Sequence, residues 1–453
     1  MDEQRTAFRS ENPNAIVNPN MTQRTRRKQD ERTIAALPEL PADITIERVL
    51  HAHFNGQNER DIFSKAYAFT LIDQARDLDI YTFFQPLDSN DGPEGQIYGQ
   101  RVLMFGSNNY LGLTRHPYVV NAAREAVLKY GTSMTGSRLL NGSTHLHEEL
   151  ENRIARFVRK EAAIVFTTGY LANLGTISAL VNKRAVAVVD RADHASIYDG
   201  CQLAEGELIR FKHNDAGHLE TVLKRIPDDK ARLVIIDGVY SMGGDIAPLP
   251  EIADVCHRYE ARLLVDDAHA LGVIGEGGRG TASHFGVEDE VDLMMGTFSK
   301  SLASIGGFVA GPKKVLDWIK HFGRSMIYSA ALPPASTAAA LAALDVLERE
   351  PEIVERLRER GNQWRHGLRD LGFDVGESET PIVPVNLGDE YAIIMFWKAL
   401  IAEGVYTNPV IYPAVPMKEA MLRTSCMATH TPEHIERALE KFATVGRKQG
   451  LIS

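Results

Sequence analysis

The chain has 453 residues, 44% of them hydrophobic and 24% charged, enough for two or three domains around a large core. A formal charge of −10 argues against a general nucleic-acid binder, and three scattered cysteines with no CxxC pair argue against a disulfide framework or a zinc site. No run is apolar enough to span a bilayer and the opening MDEQRTAFRSENPN holds no signal-peptide core, so a cytoplasmic location is expected.

Residues 1–40 are polar, carry the basic cluster 24-RTRRK-28 and show no apolar period, which predicts a loosely ordered tail. The cluster reads first as solvated charge, with anionic lipid at the inner membrane face or an acidic partner as the alternative. Over 41–96 the pattern turns helical. In 60-RDIFSKAYAFTLIDQARDL-78, the residues Phe63, Tyr67, Ile72 and Ala75 share one helical face, and the segment then enters the loop 88-DSNDGPEGQ-96.

From 97 to 335, short β-rich runs alternate with helical segments. The runs are 163-AIVFT-167, 185-AVAVVD-190, 232-RLVIID-237, 262-RLLVDD-267, 291-VDLMMG-296 and 306-GGFVAG-311. Near-continuous apolar strands separated by helices predict a large α/β domain, with a mainly parallel central sheet and helices on both faces. After 331-ALPPAS-336 comes one long helical stretch, 336–372, and then a smaller αβ domain, which together make up 336–453.

In such sheets ligands gather at the carboxyl ends of the strands, and the polar residues of this chain fall there. In 168-TGYLAN-173, Gly169 permits close backbone approach and the free amides of a helix start suit a phosphate. The turn 191-RADHAS-196 presents His194, and 238-GVYSMGGD-245 supplies Ser241. Asp266 and His269 stand three residues apart in 266-DDAHALG-272, while 297-TFSK-300 offers two hydroxyls and Lys300. Each piece alone has a plain structural reading: glycines are commonplace at such turns, strand-end histidines are usually structural, and a lysine can simply reach solvent. Together they describe a pyridoxal phosphate site, with Lys300 forming the Schiff base and Asp266 bonding the pyridinium nitrogen.

Seven motifs extend this reading: 105-FGSNNYLGL-113, 131-GTSMTGSRLLNGSTHLHEELE-151, 193-DHASIYDG-200, 238-GVYSMGGDIAPL-249, 265-VDDAHALGVIGEGGRG-280, 297-TFSKSLAS-304 and 421-MLRTSCMATHT-431. In content and order they resemble the α-oxoamine synthases, fold-type I pyridoxal phosphate enzymes that condense an amino acid with an acyl thioester. The resemblance covers 97–447. The segments 101–114, 281–311 and 408-NPVIYPAVP-416 are most similar to the bacterial members that take L-serine and palmitoyl-CoA. Glycine-using members tend to carry a Gly before the lysine, where this chain has Ser299, and a Gly-rich stretch after it, where this chain has 301-SLAS-304.

The resemblance implies that Lys300 carries the cofactor and acts as base and acid at the substrate α-carbon. It implies that Asp266 pairs with the pyridine nitrogen, that His194 stacks on the ring, and that His269 and Ser241 contact the phenolic oxygen. The amides of Gly169 and Tyr170, with the hydroxyls of Thr297 and Ser299, would hold the phosphate. Ser329 would reach the phosphate of the neighbouring subunit in a homodimer with shared sites. Arg423 would meet the substrate carboxylate and Asn108 would line the amino acid site. The implied reaction condenses L-serine with palmitoyl-CoA, releases CoA and CO2, and yields 3-ketodihydrosphinganine, the first step of sphingolipid synthesis. The alternatives are a glycine- or alanine-using member, of the 2-amino-3-ketobutyrate ligase or 8-amino-7-oxononanoate synthase type, and a non-catalytic scaffold subunit, which would be expected to have lost Lys300. The N-terminal segment exceeds what shorter members carry and is a candidate contact for membrane or an acyl carrier.

Overall fold

The computed structural model describes residues 60–412, 414–416 and 418–453, so the basic run 24–28 and the start of the 41–96 segment lie outside the described residues. In the unit that ends at Tyr81, the helix expected over 60–78 is two short helices, Ser64–Tyr67 and Leu71–Asp77. Aromatic and β-branched residues, Phe69 and Thr70, stand at the break, and both types lose side-chain freedom in a helix. Phe63 and Tyr67 meet edge to face with centroids 6.4 Å apart, whereas Ile72 and Ala75 belong to the second helix. The single face drawn through all four is therefore divided.

The second unit runs from Thr82 to Ser453. Within the stretch read as the loop 88–96, β1 (Ser89–Asn90) pairs antiparallel with β2 (Glu94–Ile97), and β2 pairs with β3 (Gln100–Met104). The sequence 90-NDGP-93 makes the reversal: the Gly92 N–H donates to Asn90 Oδ1, an Asx-type turn bond that competes with helix.

The large sheet contains β4 (Ala162–Phe166), β5 (Ala185–Asp190), β6 (Glu207–Phe211), β7 (Ala231–Asp237), β8 (Arg262–Asp266), β9 (Leu293–Thr297) and β10 (Gly307–Gly311), in the spatial order β4-β10-β9-β8-β7-β5-β6. β10 is antiparallel to both neighbours and the other pairs are parallel. This is the expected α/β architecture, and its helices cover both faces. Val186, Val188, Val234, Ile236, Leu263 and Val265 pack with helices Ala216–Leu223 and Leu249–Arg258. The alternate residues Ala187, Val189, Leu233, Ile235 and Leu264 pack with helices Gly169–Leu180 and Lys313–Phe322. Burying each Val, Leu or Ile contributes about 1.5–3 kcal/mol, and both faces of these strands share in it. The edge strand β6 escaped the sequence reading because 207-ELIRF-211 mixes charge with apolar residues, as edges do.

The helical stretch expected as one piece over 336–372 is two helices, Pro334–Arg349 and Glu352–Asp370. Pro351 lacks an N–H and disfavours helical geometry at the residue before it; Glu350 accordingly takes φ −127°, ψ 58°. The first helix packs through Ala340, Leu344 and Leu347 into a core that also holds Val119, Leu150 and Leu271. Further on, β11 (Ile382–Gly388), β13 (Asn408–Val410) and β14 (Ala420–Ser425) form an antiparallel sheet in the order β11-β14-β13, while β12 (Val405–Tyr406) joins β3 in parallel. The Ser425 N–H donates to Phe105 O at 2.8 Å, which lays β14 beside the loop that follows β3. No helix among the described residues is long and apolar enough to cross a membrane.

Candidate active site

The carboxyl ends of β4, β5, β7, β8 and β9 open on one cavity of about 310 Å³. At one end of it, helix Gly169–Leu180 starts directly after β4. Thr168 caps this helix by accepting the Leu171 N–H at 3.1 Å, and the first amides, those of Gly169 and Tyr170, have no acceptor within the helix. The Thr297 hydroxyl faces this turn, 2.8 Å from Ser299 Oγ and 2.8 Å from Gly306 O, to which it donates. Helix amides beside hydroxyls make an anion cradle. The helix can seat there because β10 offers no side chain: a Cβ on Gly307 would stand 2.5 Å from Gly169 Cα and 2.7 Å from its nitrogen.

Asp237 and Asp266 stand side by side in the register of β7 and β8. Asp266 accepts Asn173 Nδ2 at 2.7 Å and the Ala268 N–H at 3.0 Å, both neutral donors. Asn173 Nδ2 also donates to Ser196 Oγ at 2.9 Å, and Ser196 Oγ lies 2.7 Å from His194 Nδ1. The imidazole of His194, at the start of helix Ala195–Leu203, is thus oriented by a chain that ends on Asp266. Burial, and then the charge of Asp266, push the Asp237 carboxyl well above the usual carboxylate range, which favours its protonated form.

Lys300 projects into the same cavity. Burial pulls its amine down to about 8; Asp266 opposes the fall and the Arg423 charge assists it. His269 is also held well below its usual range, by burial first and then by the charges of Lys300 and Arg423. Its Nδ1 is 2.7 Å from the Tyr110 hydroxyl, which itself accepts from Arg423 Nη2 at 3.2 Å. The hydroxyl also lies 3.2 Å from Asn108 Oδ1; where its proton goes to Nδ1 instead, the neutral imidazole carries its own proton on Nε2. Arg423, on β14, also donates through Nη1 to Asn108 Oδ1 at 2.9 Å and through Nε to Ser241 O.

Gly169, Tyr170, His194, Asp266, His269, Thr297, Ser299 and Lys300 all line the cavity. Asn108, Ser241 and Arg423 do not; they form a hydrogen-bonded layer reached from it through Tyr110 and His269, and within that layer Ser241 contributes its carbonyl. Ser329 also lies off the wall, with Oγ 3.3 Å from Thr167 Oγ1, beside the helix-start turn. The sequence reading missed Tyr110, Asn173, Ser196 and Asp237. Tyr110 follows Asn108 by two residues and Asn173 closes 168-TGYLAN-173, so proximity within those motifs was the available signal.

Pyridoxal phosphate fits these residues on three counts. The cradle at Gly169, Thr297 and Ser299 suits its phosphate, and Lys300 presents a weakly basic amine for its aldehyde. Asp266, 3% exposed and met among the described residues by neutral donors, suits a protonated ring nitrogen.

Residues 100–442 match the family described as aminotransferase class I and II. The serine palmitoyltransferase of Sphingobacterium spiritivorum is 47% identical over 85% of this chain and 96% of its own. The 8-amino-7-oxononanoate synthase of Thermoanaerobacter pseudethanolicus is 41% identical over 84% of this chain and 97% of its own. The structure superposes on serine palmitoyltransferase from S. paucimobilis, solved with PLP-myriocin bound, with a TM-score of 0.84 at 38% identity, covering 87% of this chain and all of that one. With Lys300 among the strand ends and relatives of this similarity along most of its length, the chain belongs to the class I and II aminotransferase family and, within it, to the acyltransferases of the α-oxoamine synthase type.

Proposed function

We propose that the protein condenses L-serine with a long-chain acyl-CoA such as palmitoyl-CoA, releasing CoA and CO2 and giving 3-ketodihydrosphinganine, with pyridoxal phosphate as cofactor. The observation that carries the reaction type is Lys300: a half-buried amine of depressed basicity, in the cavity that Asp266 and His269 also line. The choice of serine and palmitoyl-CoA is supported by the serine palmitoyltransferases among the relatives, at 45–47% identity over more than four-fifths of this chain.

Bound pyridoxal phosphate supplies an electron sink for the substrate α-carbon. In this reading residues 97–335 bind the cofactor and residues 336–453, the smaller domain, supply Arg423. Lys300 Nζ removes the α-proton and later returns one, work suited to an amine near neutral basicity. Asp266 would hold a proton on the pyridine nitrogen, and His269 would offer Nε2–H to the phenolic oxygen. His194, kept in place by Ser196, would stack on the ring. Arg423 grips the serine carboxylate through its planar fork, with Asn108 and Tyr110 fixing the guanidinium. The α-carbon then displaces CoA from the thioester and the carboxylate leaves as CO2. Ser329 serves the phosphate of a second subunit in a homodimer.

The 8-amino-7-oxononanoate synthases at 41% identity favour a second reading, an alanine-using member. The test is an absorbance titration of the cofactor-loaded protein with L-serine, glycine and L-alanine, followed by palmitoyl-CoA and a thiol assay for CoA. A serine-dependent spectral change followed by thiol release supports the proposal; a response to alanine alone replaces the substrate and keeps the chemistry.

A further inference from the structure

His213 lies outside the cavity wall, in the turn after β6, yet both of its ring nitrogens are engaged by carboxylates from different strand ends. Nδ1 is 3.1 Å from Asp190 Oδ1 and Nε2 is 3.0 Å from Asp245 Oδ2. A ring with an acceptor at each nitrogen must donate from both, which makes it the imidazolium. Asp190 is wholly buried, and neither carboxylate has a Lys or Arg partner among the described residues. Asn214 reinforces the join, donating its N–H to Asp190 Oδ2 and its Nδ2 to Asp245 Oδ2, each at 2.8 Å. The Tyr240 ring stands edge-on to the imidazole with centroids 4.4 Å apart.

The two carboxylates belong to the two turns that matter. Asp190 ends β5 and its Oδ1 accepts the Ala192 N–H at 2.8 Å, shaping the turn that presents His194. Asp245 closes the turn after β7, its carbonyl accepting the Tyr240 N–H at 3.0 Å, and the same turn presents Ser241 O to Arg423. Among the described residues no strand pairing joins these turns at their tips; the imidazole does, beside Asn214, while deeper in, the Asp237 N–H donates to Asp193 Oδ1 at 2.9 Å.

We propose that His213 is a positioning residue whose doubly donating ring ties the Asp190–His194 turn to the Tyr240–Asp245 turn and so sets the ring-facing histidine and the Ser241–Arg423 contact together. This rests on the proposed function only in giving His194 and Arg423 their roles toward cofactor and amino acid. The pair of carboxylates overcomes burial and raises the imidazole to about 9, in keeping with a ring that stays charged at working pH.

The test compares wild type, His213→Gln and Asp245→Asn, all cofactor-loaded, by amide hydrogen exchange and by amino acid affinity. L-Serine, glycine and L-alanine are each titrated, and the one that shifts the wild-type absorbance is used for the variants. His213→Gln, which can donate at only one end, is expected to speed exchange over 190–196 and 238–246 together by about tenfold and to raise the amino acid Kd by about tenfold, with cofactor retained and β4 exchanging as before. Asp245→Asn should reproduce the change over 238–246, and the double variant should be no worse than His213→Gln alone. Unchanged exchange over 238–246 in both variants overturns the proposal. So does faster exchange with an unaltered Kd, since the tie would then be structural only. A wild type that answers alanine and ignores serine overturns the proposed substrate while this comparison proceeds with alanine; and exchange, needing no amino acid, reads the tie even if none of the three binds.

Discussion

Tyr110 and His269 meet through a 2.7 Å hydrogen bond, hydroxyl to Nδ1, and the same hydroxyl accepts from Arg423. One oxygen therefore couples the imidazole in the cavity wall to the guanidinium behind it. Tyr110→Phe preserves the ring and its packing but removes these two bonds and a third, from the hydroxyl to Asn108 Oδ1 at 3.2 Å. Leaving buried partners unsatisfied costs about 1–3 kcal/mol, so kcat/KM should fall by about tenfold or more while the fold persists. Steady-state kinetics beside thermal melting check this, and a variant with wild-type kinetics would detach Tyr110 from the site.

The depressed basicity of Lys300 gives a second expectation. The free amine is the nucleophile toward an aldehyde, so its rate of cofactor capture should climb with pH by about tenfold per unit below about 8 and level off above it. Stopped-flow absorbance on the cofactor-free protein reads this directly. Capture that is flat over about pH 6.5–8 would contradict it. Lys300→Ala should lose covalent attachment and turnover, with its circular dichroism unchanged.

Much of this site was legible because parallel strands end at one edge. Once 185–190, 232–237, 262–267 and 291–296 read as buried strands, the residues that follow them had to gather, and His194, Asp266, His269 and Lys300 do line one cavity. What the sequence could not show were the partners that orient them. Asn173 matters because helix Gly169–Leu180 carries it within 2.7 Å of Asp266, ninety-three positions away. Asp237 looked like the last residue of a strand until the register placed it beside Asp266. The break at Pro351 is a different kind of miss, since Pro351 carried the turn chemistry and the apolar period overrode it; at 88–96 the loop was read, and only the two short strands flanking its Asn90–Gly92 turn were not.

Adjacent Asp237 and Asp266 should respond oppositely to the same substitution. Burial and the neighbouring charge favour the protonated form of Asp237, which Asn resembles. Asp237→Asn should hold kcat within about threefold, whereas Asp266→Asn, which can no longer hold a proton on the ring nitrogen, should lose about a hundredfold or more. The sign for stability follows: an acid raised in the folded state is lost from the unfolded state first, so stability falls as pH rises above the unfolded carboxylate value of about 3.9. Asp237→Asn should remove that part of the decline. Equal sensitivity of turnover at both positions would rule out the assignment.

Gly307 tests the cradle through backbone alone. A Cβ there would meet Gly169 Cα at 2.5 Å and its nitrogen at 2.7 Å, and neither can swing aside as a side chain would. Gly307→Ala must push the helix start away from β10, at about 1–3 kcal/mol for overpacking. Because Thr297 and Ser299 stay put, the shift opens the cradle, and pyridoxal phosphate affinity should fall by about tenfold, read by fluorescence titration of the cofactor-free protein. Wild-type affinity in a folded variant would mean that the amides of Gly169 and Tyr170 are not what grips the phosphate.

His213 should write its charge into the pH dependence of unfolding. The groups facing its ring are Asp190 from the end of β5, with Asp245 and Tyr240 from the turn after β7. A histidine raised to about 9 by two carboxylates binds its proton more tightly folded than unfolded. Its contribution is therefore fully present below the unfolded value of about 6.5 and is lost as pH rises through about 9. His213→Gln cannot titrate, so the stability gap between wild type and variant should be widest near neutrality and narrow steadily across that window. Urea midpoints for both proteins at half-unit steps give the curve. A gap that stays constant from neutral to alkaline pH would mean that the ring stabilises by packing alone, leaving the two carboxylates to be held by Asn214 and the backbone.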